Sequence, residues 1–278
     1  MAKKARKPKR SGSRHTQQIS QKDTLVFELQ LALVQHDWSE MVDIARKLLN
    51  NFSLEPEQRV AVLGSLGTAY AGLNEYEQAY EALTEALVIN PDDPHVLYER
   101  GTIAWRASRS GQYACDIERA AELIGSDKTH SLARAVQIEL KKSRKLLKEA
   151  LRKRGSDFTL DQLIEQQELY VQAFKRTAMH DWAGAELLFK RVIGMAEKDF
   201  DPRPWNNLGL CLMRQGRFDE AELAWKRALK IDRSYQIARN HLLLLPELRR
   251  GEKIASGRYV DDFSDGKGKL KLILEDEE

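Results

Sequence analysis

The sequence lacks the residue clusters from which catalytic and metal sites are commonly built. It contains only two cysteines, Cys115 and Cys211, and its six histidines are scattered along 278 residues. There is no Cys-x-x-Cys, no His-Glu-x-x-His and no glycine-rich loop ending in Gly-Lys-Ser or Gly-Lys-Thr, so the usual signatures of zinc and nucleotide sites are missing. We therefore expect a protein that is not an enzyme and uses no metal or cofactor.

The sequence also lacks long hydrophobic runs. It has no stretch of about 18 apolar residues that would suit a membrane-spanning helix, and no apolar segment follows the basic N-terminus as a secretory signal requires. Two thiols in different parts of the chain are ordinary for a reducing compartment. These features predict a cytoplasmic protein without a membrane partner.

A fixed spacing of small and aromatic residues occurs twice. Each copy has a glycine, an aromatic residue nine positions later, and alanines twelve and nineteen positions later. The copies are Gly67, Tyr76, Ala79 and Ala86, and then Gly209, Phe218, Ala221 and Ala228. Gly101 follows Gly67 by 34 residues. A repeat of this length predicts helix–turn–helix units stacked into a solenoid, with the glycine placed where two helices approach closely.

These copies resemble the tetratricopeptide repeat family. The segment 60–93 carries Leu66, Gly67, Tyr70, Ala79 and Pro91 at the family's positions. The later copy matches with Trp205, Leu208 and Gly209, but departs from the pattern at Leu212 and Arg233. The resemblance implies an all-α fold, a right-handed superhelix of helix pairs, and non-catalytic binding of proteins, as an adaptor, co-chaperone or assembly factor.

Three weaker copies are expected beside these two. The first has Trp38 as its aromatic, and another has Trp182. The copy after Gly101 is aligned on Tyr113, which requires three extra residues around 108–110 and a longer turn. The tripeptide His-Asp-Trp precedes a helix at 36–38 and again at 180–182. We interpret its aspartate as a helix N-cap rather than as part of a metal site.

The expected order of domains follows from these segments. A disordered basic tail over 1–21 precedes three helix pairs over 22–127, a basic amphipathic linker helix over 128–156, two further pairs with a capping helix over 157–249, and a flexible, acidic-ended tail over 250–278.

Charge is distributed unevenly along the chain. Residues 1–22 hold eight Lys or Arg and no acid, and residues 128–154 hold ten against two acids. Such segments suit nucleic-acid phosphates, although no aromatic residue interleaves them for base stacking. The alternatives are a solubilising tail, a solvated helix face, or pairing with the acidic C-terminus. The candidate nucleic-acid contacts are Lys141, Lys142, Arg144, Lys145, Arg152, Lys153 and Arg154.

The family resemblance also implies a concave groove, lined by the first helix of each pair, that holds a peptide or protein segment. The positions that correspond to this groove are Ser65, Thr68, Tyr98, Thr102, Trp105, Arg106, Tyr170, Phe174, Arg203, Asn206, Asn207, Leu210, Met213 and Arg214. Asn207 is either a ligand-binding amide or a solvated one. The four aromatic residues are either anchors for a partner or packing against neighbouring helices. A second hypothesis is an RNA- or ribosome-associated protein that uses its basic segments.

Overall fold

A computed structural model of the chain describes residues 12–250, with side chains described from residue 21. This part is built from twelve helices and contains no strand, which confirms the predicted all-α class. The helices are α1 (Gly12–Gln35), α2 (Trp38–Asn51), α3 (Pro56–Gly72), α4 (Tyr76–Ile89), α5 (Pro94–Arg106), α6 (Ser110–Ile124), α7 (Ala133–Arg154), α8 (Leu160–Ala178), α9 (Trp182–Gly194), α10 (Pro202–Arg214), α11 (Phe218–Ile231) and α12 (Gln236–Arg249).

Five helix pairs share one kind of turn. In each, a residue with left-handed backbone lies two positions before the second helix begins. These residues are His36, Asn74, Ser108, His180 and Gly216. After two of them an aspartate caps the helix, because Asp37 accepts a hydrogen bond from the Glu40 amide and Asp181 from the Gly184 amide. The N-cap interpretation of His-Asp-Trp is therefore confirmed.

The repeat glycines lie where helices touch. A Cβ atom on Gly67 would lie 2.7 Å from Cγ of Leu83, and one on Gly209 would lie 2.5 Å from Nε1 of Trp225. Both distances are far below a normal van der Waals contact. The prediction that these glycines lie where two helices approach closely is confirmed.

The third pair differs from its prediction. Its turn is not lengthened, because three residues separate α5 from α6, as three separate α3 from α4. Counting from Gly101, the place nine residues on is Ser110, and Tyr113 takes the place that Ala79 fills in the second pair. Tyr113 is nevertheless buried. Its hydroxyl reaches α7, where it donates to the Glu139 carboxylate.

The described part of the chain divides into two compact units. Among the described residues, the first unit comprises those up to Ile103 together with Arg119–Ala133. The second comprises Ala104–Glu118 together with those from Arg134 to residue 250. The helix that was expected to be a linker, α7, is part of the second unit. It buries Val136 and Leu140 there.

The ends of the described region set the limits for the two tails. Helix α1 begins at Gly12, ten residues before the boundary expected at 22, since no proline interrupts this stretch and its residues are compatible with a helix. Residues 1–11 and 251–278 lie outside the described residues, and with them most of the two predicted tails. Within the described part, no helix has the length and apolarity needed to cross a membrane.

Candidate functional site

Four of the predicted groove residues belong to the first unit and are half-buried there. Ser65 and Thr68 lie on α3, and Tyr98 and Thr102 on α5. The hydroxyls of Ser65, Thr68 and Thr102 donate to carbonyls of their own helices, at 3.0, 3.1 and 2.8 Å. A hydroxyl bonded in this way keeps its lone pairs as acceptors, so these residues remain able to contact a partner.

In the second unit, the predicted aromatic residues are partly engaged by their neighbours. The Trp105 side chain is 38% exposed, and its ring centroid lies 5.8 Å from that of Tyr113. Tyr170 is half-buried, packs edge-to-face on Phe189, and accepts a hydrogen bond from the Asn207 amide at 3.0 Å. Packing and partial exposure therefore coexist at these positions.

The remaining accessible groove residues are Arg106, Phe174, Arg203 and Arg214. Arg106 is exposed, and the other three are half-buried. The Arg203 guanidinium is paired with the Asp201 carboxylate at 2.7 Å, and that of Arg214 lies 5.2 Å from the centre of the Trp182 ring.

Four predicted groove residues on α10 are buried, which contradicts their assignment to a binding surface. Asn206, Asn207, Leu210 and Met213 are each at most 7% exposed. The helix is enclosed by its neighbours, and Leu210 and Met213 pack in the core of the second unit. The Trp225 indole on α11 donates to the Asn206 carbonyl at 3.1 Å. These residues form the interior of the second unit and do not line an open groove.

One exposed surface was missed by the sequence analysis. Helix α1 presents Phe27, Leu31 and Val34 on one face, with exposed fractions of 65%, 45% and 76%. Their spacing of four and three residues places them on adjacent turns. We call Phe27, Leu31 and Val34 the α1 stripe. The run Leu25–Val34 contains apolar residues on every side of the helix, more than one buried face needs. This surplus of apolar residues could have predicted an exposed apolar surface.

The basic residues of α7 divide into three groups. Arg154 is buried, which removes it from the predicted nucleic-acid contacts. Lys142, Arg144 and Lys153 are exposed but pair with Glu139, Glu118 and Glu149. Lys141, Lys145 and Arg152 are exposed and form no ion pair among the described residues, although the charges of Lys145 and Arg152 help to lower the pKa of Glu149.

Two further exposed residues, Arg134 and Lys148, continue this unpaired set, and the sequence analysis did not name them. The positions 134, 141, 145, 148 and 152 recur at helical spacing along one side of α7, over roughly 27 Å. We call these five residues the basic face of α7.

Comparison with known proteins identifies two segments. Residues 65–123 and residues 202–235 match family models described as tetratricopeptide repeat. No curated protein matches the chain. The first segment covers α4 to α6 and part of α3, and the second covers α10 and α11, so each match falls on helix pairs seen in the structure.

Three solved structures that match this chain share little sequence with it, and their TM-scores are low. A tetratricopeptide repeat protein from Parabacteroides merdae is 19% identical over 81% of this chain and 84% of its own, with a TM-score of 0.38. The MamA protein is 15% identical over 77% and 93%, with a TM-score of 0.34. A TPR2AB-domain:pHSP90 complex of yeast Sti1 is 16% identical over 81% and 83%, with a TM-score of 0.37.

Proposed function

Since the chain belongs to the tetratricopeptide repeat family, we propose that it is a protein-interaction scaffold whose α1 stripe binds an amphipathic segment of a partner protein. The observation that carries the proposal is the exposure of Phe27, Leu31 and Val34 on one helix face. Contiguous exposed apolar side chains on a folded domain commonly mark an interaction surface. A non-catalytic role agrees with the family and with the absence of catalytic motifs from the sequence.

The chemistry of the partner follows from the stripe and its surroundings. Three apolar side chains at helical spacing suit a partner helix that presents its own apolar residues three and four positions apart. Asp23 is exposed one turn before Phe27 on the same face. A basic residue beside the partner's apolar face would meet this carboxylate and set the direction of docking.

Under this proposal, the accessible groove residues of each unit provide a further contact surface on that unit. Ser65, Thr68, Tyr98 and Thr102 offer hydroxyl groups and an aromatic ring in the first unit. Trp105, Arg106, Tyr170 and Phe174 offer aromatic and cationic groups in the second unit. Aromatic and arginine side chains often contribute most of the energy at protein interfaces.

The test compares two exposed valines of the first unit. Val34 in the stripe and Val88 on α4 are 76% and 77% exposed, so a glutamate at either position adds the same charge at the same accessibility. The full chain and its Val34→Glu, Phe27→Glu and Val88→Glu variants are immobilised and exposed to a native extract. Nuclease and two salt concentrations are included, and bound proteins are quantified by mass spectrometry.

We expect a protein retained after nuclease and at high salt, lost with Val34→Glu and Phe27→Glu, and retained with Val88→Glu. Equal retention by all four chains would overturn the role of the stripe. Sedimentation velocity provides a second check, because a second copy of this chain could cover the stripe. Self-association that is abolished by Val34→Glu would replace the partner protein with a dimer.

The basic face of α7 supports a second candidate function, the binding of an RNA backbone. Five exposed cationic side chains that form no ion pair among the described residues lie along one helix side, while Val136 and Leu140 anchor the opposite side. Fluorescence anisotropy with a single-stranded RNA tests this directly. We expect Lys145→Glu with Lys148→Glu to weaken binding and wild-type affinity to fall on the order of a hundredfold between about 50 and about 200 mM salt. Binding without salt dependence would exclude this mode.

A further inference from the structure

The second unit contains a small cavity between α7, α8, α9 and the connection that leads to α10. Its volume is about 70 Å³, and it is lined by Arg154, Gln166, Tyr170, Ile193, Phe200 and Trp205, among others. A cavity of about 10–15 Å³ holds one water molecule, so this cavity has room for about five. It is large enough for the end of a side chain or for a small organic molecule.

Arg154, the last residue of α7, is a buried cation on this cavity. It is 9% exposed. Its Nε donates to Oε1 of Gln166, and its Nη1 donates to the Ala150 carbonyl at 2.8 Å. Gln166 is itself fixed by a 2.9 Å hydrogen bond from its amide to the Val192 carbonyl. The guanidinium is therefore held firmly in place by neutral groups.

Aromatic rings complete the surroundings of this guanidinium. Its central carbon lies 4.5 Å from the centre of the Phe200 ring and 5.8 Å from that of Phe158. Within the described residues no carboxylate forms an ion pair with Arg154, and its Nη2 has no hydrogen-bond acceptor. Burial lowers the pKa of Arg154 to about 10, opposed in part by Asp201. A buried cation in this state is stabilised when an anion joins it.

The other strong charges at the cavity already have partners. Arg203 forms hydrogen bonds to both oxygens of Asp201, at 3.0 and 2.7 Å. Asp199 accepts from the Trp205 indole at 3.0 Å and from Arg227 at 2.7 Å. These pairs cancel one another, which leaves the charge of Arg154, together with the exposed Lys198, as the excess at the cavity.

We propose that this cavity binds a single carboxylate group carried on a short apolar body. The Nη2 edge of Arg154 donates to the carboxylate, because charge-assisted bonds from guanidinium to carboxylate are among the strongest in proteins. The apolar body lies against Ile193, Phe200 and Trp205. This site goes beyond the proposed scaffold function, because it uses neither the α1 stripe nor the basic face of α7.

The shared chemistry has two sources, a free small carboxylic acid and an acidic side chain of a peptide. Isothermal titration calorimetry with the full chain uses butyrate and benzoate as free acids and a short glutamate-containing peptide as the second source. Butyramide, which is neutral, and inorganic phosphate, which has no apolar body, are the control ligands. Competition between butyrate and the peptide shows whether both occupy one site.

Three variants locate any binding that is observed. Arg154→Met removes the cation but keeps an extended side chain, and Ala196→Leu fills the cavity while leaving Arg154 in place. Arg152→Met is the matched control, because it removes one exposed positive charge from the same turn of α7 without touching the cavity. Circular dichroism establishes that each variant is folded, so a failure of Arg154→Met to fold leaves Ala196→Leu as the deciding variant.

We expect saturable binding of a carboxylate that Arg154→Met and Ala196→Leu each weaken at least tenfold and that Arg152→Met leaves within twofold. Butyrate binding identifies a free acid as a source, and binding of the peptide alone identifies a partner's side chain. The proposal is overturned by the absence of binding in both arms, by equal binding of butyramide or phosphate, or by binding that Ala196→Leu does not affect.

Discussion

The Nδ1 atom of His241 on α12 lies 3.1 Å from Oδ1 of Asn206 on α10. The Asn206 amide donates in turn to Oδ1 of Asn207 at 3.2 Å, and the Asn207 amide donates to the Tyr170 hydroxyl at 3.0 Å. Because Asn206 uses its amide nitrogen towards Asn207, its oxygen faces the imidazole, and Nδ1 of His241 is the donor. A relay of hydrogen bonds thus joins α12, α10 and α8 inside the second unit.

This relay predicts a pH-dependent stability. Burial lowers the pKa of His241 to about 3, whereas an unfolded histidine has a pKa near about 6.5. Below about pH 6.5, His241 binds a proton in the unfolded chain but not in the folded protein. The free energy of unfolding therefore falls as the pH drops through this range, by up to about 1.4 kcal/mol per pH unit from this residue.

Urea unfolding followed between pH 7 and pH 4 measures this slope. His241→Asn keeps an amide donor near the position of Nδ1 but does not titrate, so we expect its unfolding free energy to depend less on pH than that of the wild type. His180→Asn is the control, since His180 is exposed and its left-handed backbone suits asparagine. A His241→Asn profile parallel to that of the wild type would show that the buried imidazole does not cause the slope.

A second prediction concerns the carboxylate of Glu186, whose pKa is lowered in the folded protein. Its carboxylate accepts from Lys190 at 2.6 Å, Arg217 at 2.7 Å and Gln215 at 2.8 Å. Burial alone would raise the pKa of Glu186, but these hydrogen bonds outweigh it and lower the pKa to about 2. The resulting stability is present above pH 4.5 and is lost as the pH falls towards 2.

Glu186→Gln should therefore destabilise the protein at neutral pH by on the order of 1–3 kcal/mol, the range for hydrogen bonds to a charged group, measured by chemical unfolding. Glu220→Gln, at an exposed partner of the same Arg217, should cost much less, because solvent screens an exposed ion pair. Equal losses for the two variants would mean that burial of Glu186 adds nothing to its ion pairs.

The repeat spacing predicted the helix pairs well because its small residues are needed where two helix backbones approach closely. Gly67 and Gly209 are required because two helices lie too close together for a side chain. This requirement recurs in each strong repeat, so glycine occurs at a fixed offset from the other repeat residues. The burial of Asn206 and Asn207 is not indicated by any such recurring spacing. It depends on α12 packing over α10, where His241 provides the partner for Asn206, and a histidine 35 residues away is not predictable from the repeat.

The position of Arg154 was missed for a similar reason. It is one of ten basic residues in the segment 128–154, and composition alone does not distinguish it from the other nine. Its helical phase places it with Val136 and Ser143 on the buried side. Helical periodicity could have separated it from Arg152, but its contacts with Gln166 and Phe200 depend on the tertiary fold.

The close approach at Gly209 predicts a large effect from a single methyl group. In Gly209→Ala the new Cβ would meet the rigid, fully buried Trp225 indole, whose Nε1 is held by the Asn206 carbonyl. We expect a loss of about 2–3 kcal/mol from overpacking. Gly64→Ala is the matched control, because nothing lies within 4 Å of its Cβ position in α3. That variant should be stabilised by about 0.5–1 kcal/mol, and thermal unfolding of both variants distinguishes them.

Tyr113 provides a case in which the residue expected from the repeat should be harmful. The corresponding position in the two strong repeats is alanine, at Ala79 and Ala221, so a substitution guided by the family pattern would be Tyr113→Ala. The Tyr113 ring is buried and packs at a tilt against Trp105, and its hydroxyl donates a hydrogen bond to the Glu139 carboxylate of α7. Removing the ring leaves a cavity next to α7, and we expect a loss of about 3–5 kcal/mol.

Tyr113→Phe separates the ring from the hydroxyl. It keeps the packing and loses only the bond to Glu139, so the expected cost is about 1 kcal/mol. Urea unfolding of the two variants measures both losses, and Glu139→Gln tests the partner side of the bond. A Tyr113→Ala variant as stable as the wild type would mean that α7 packs against the third pair without using this side chain. The opposite result makes Tyr113 the residue that adapts a standard repeat to receive an additional helix.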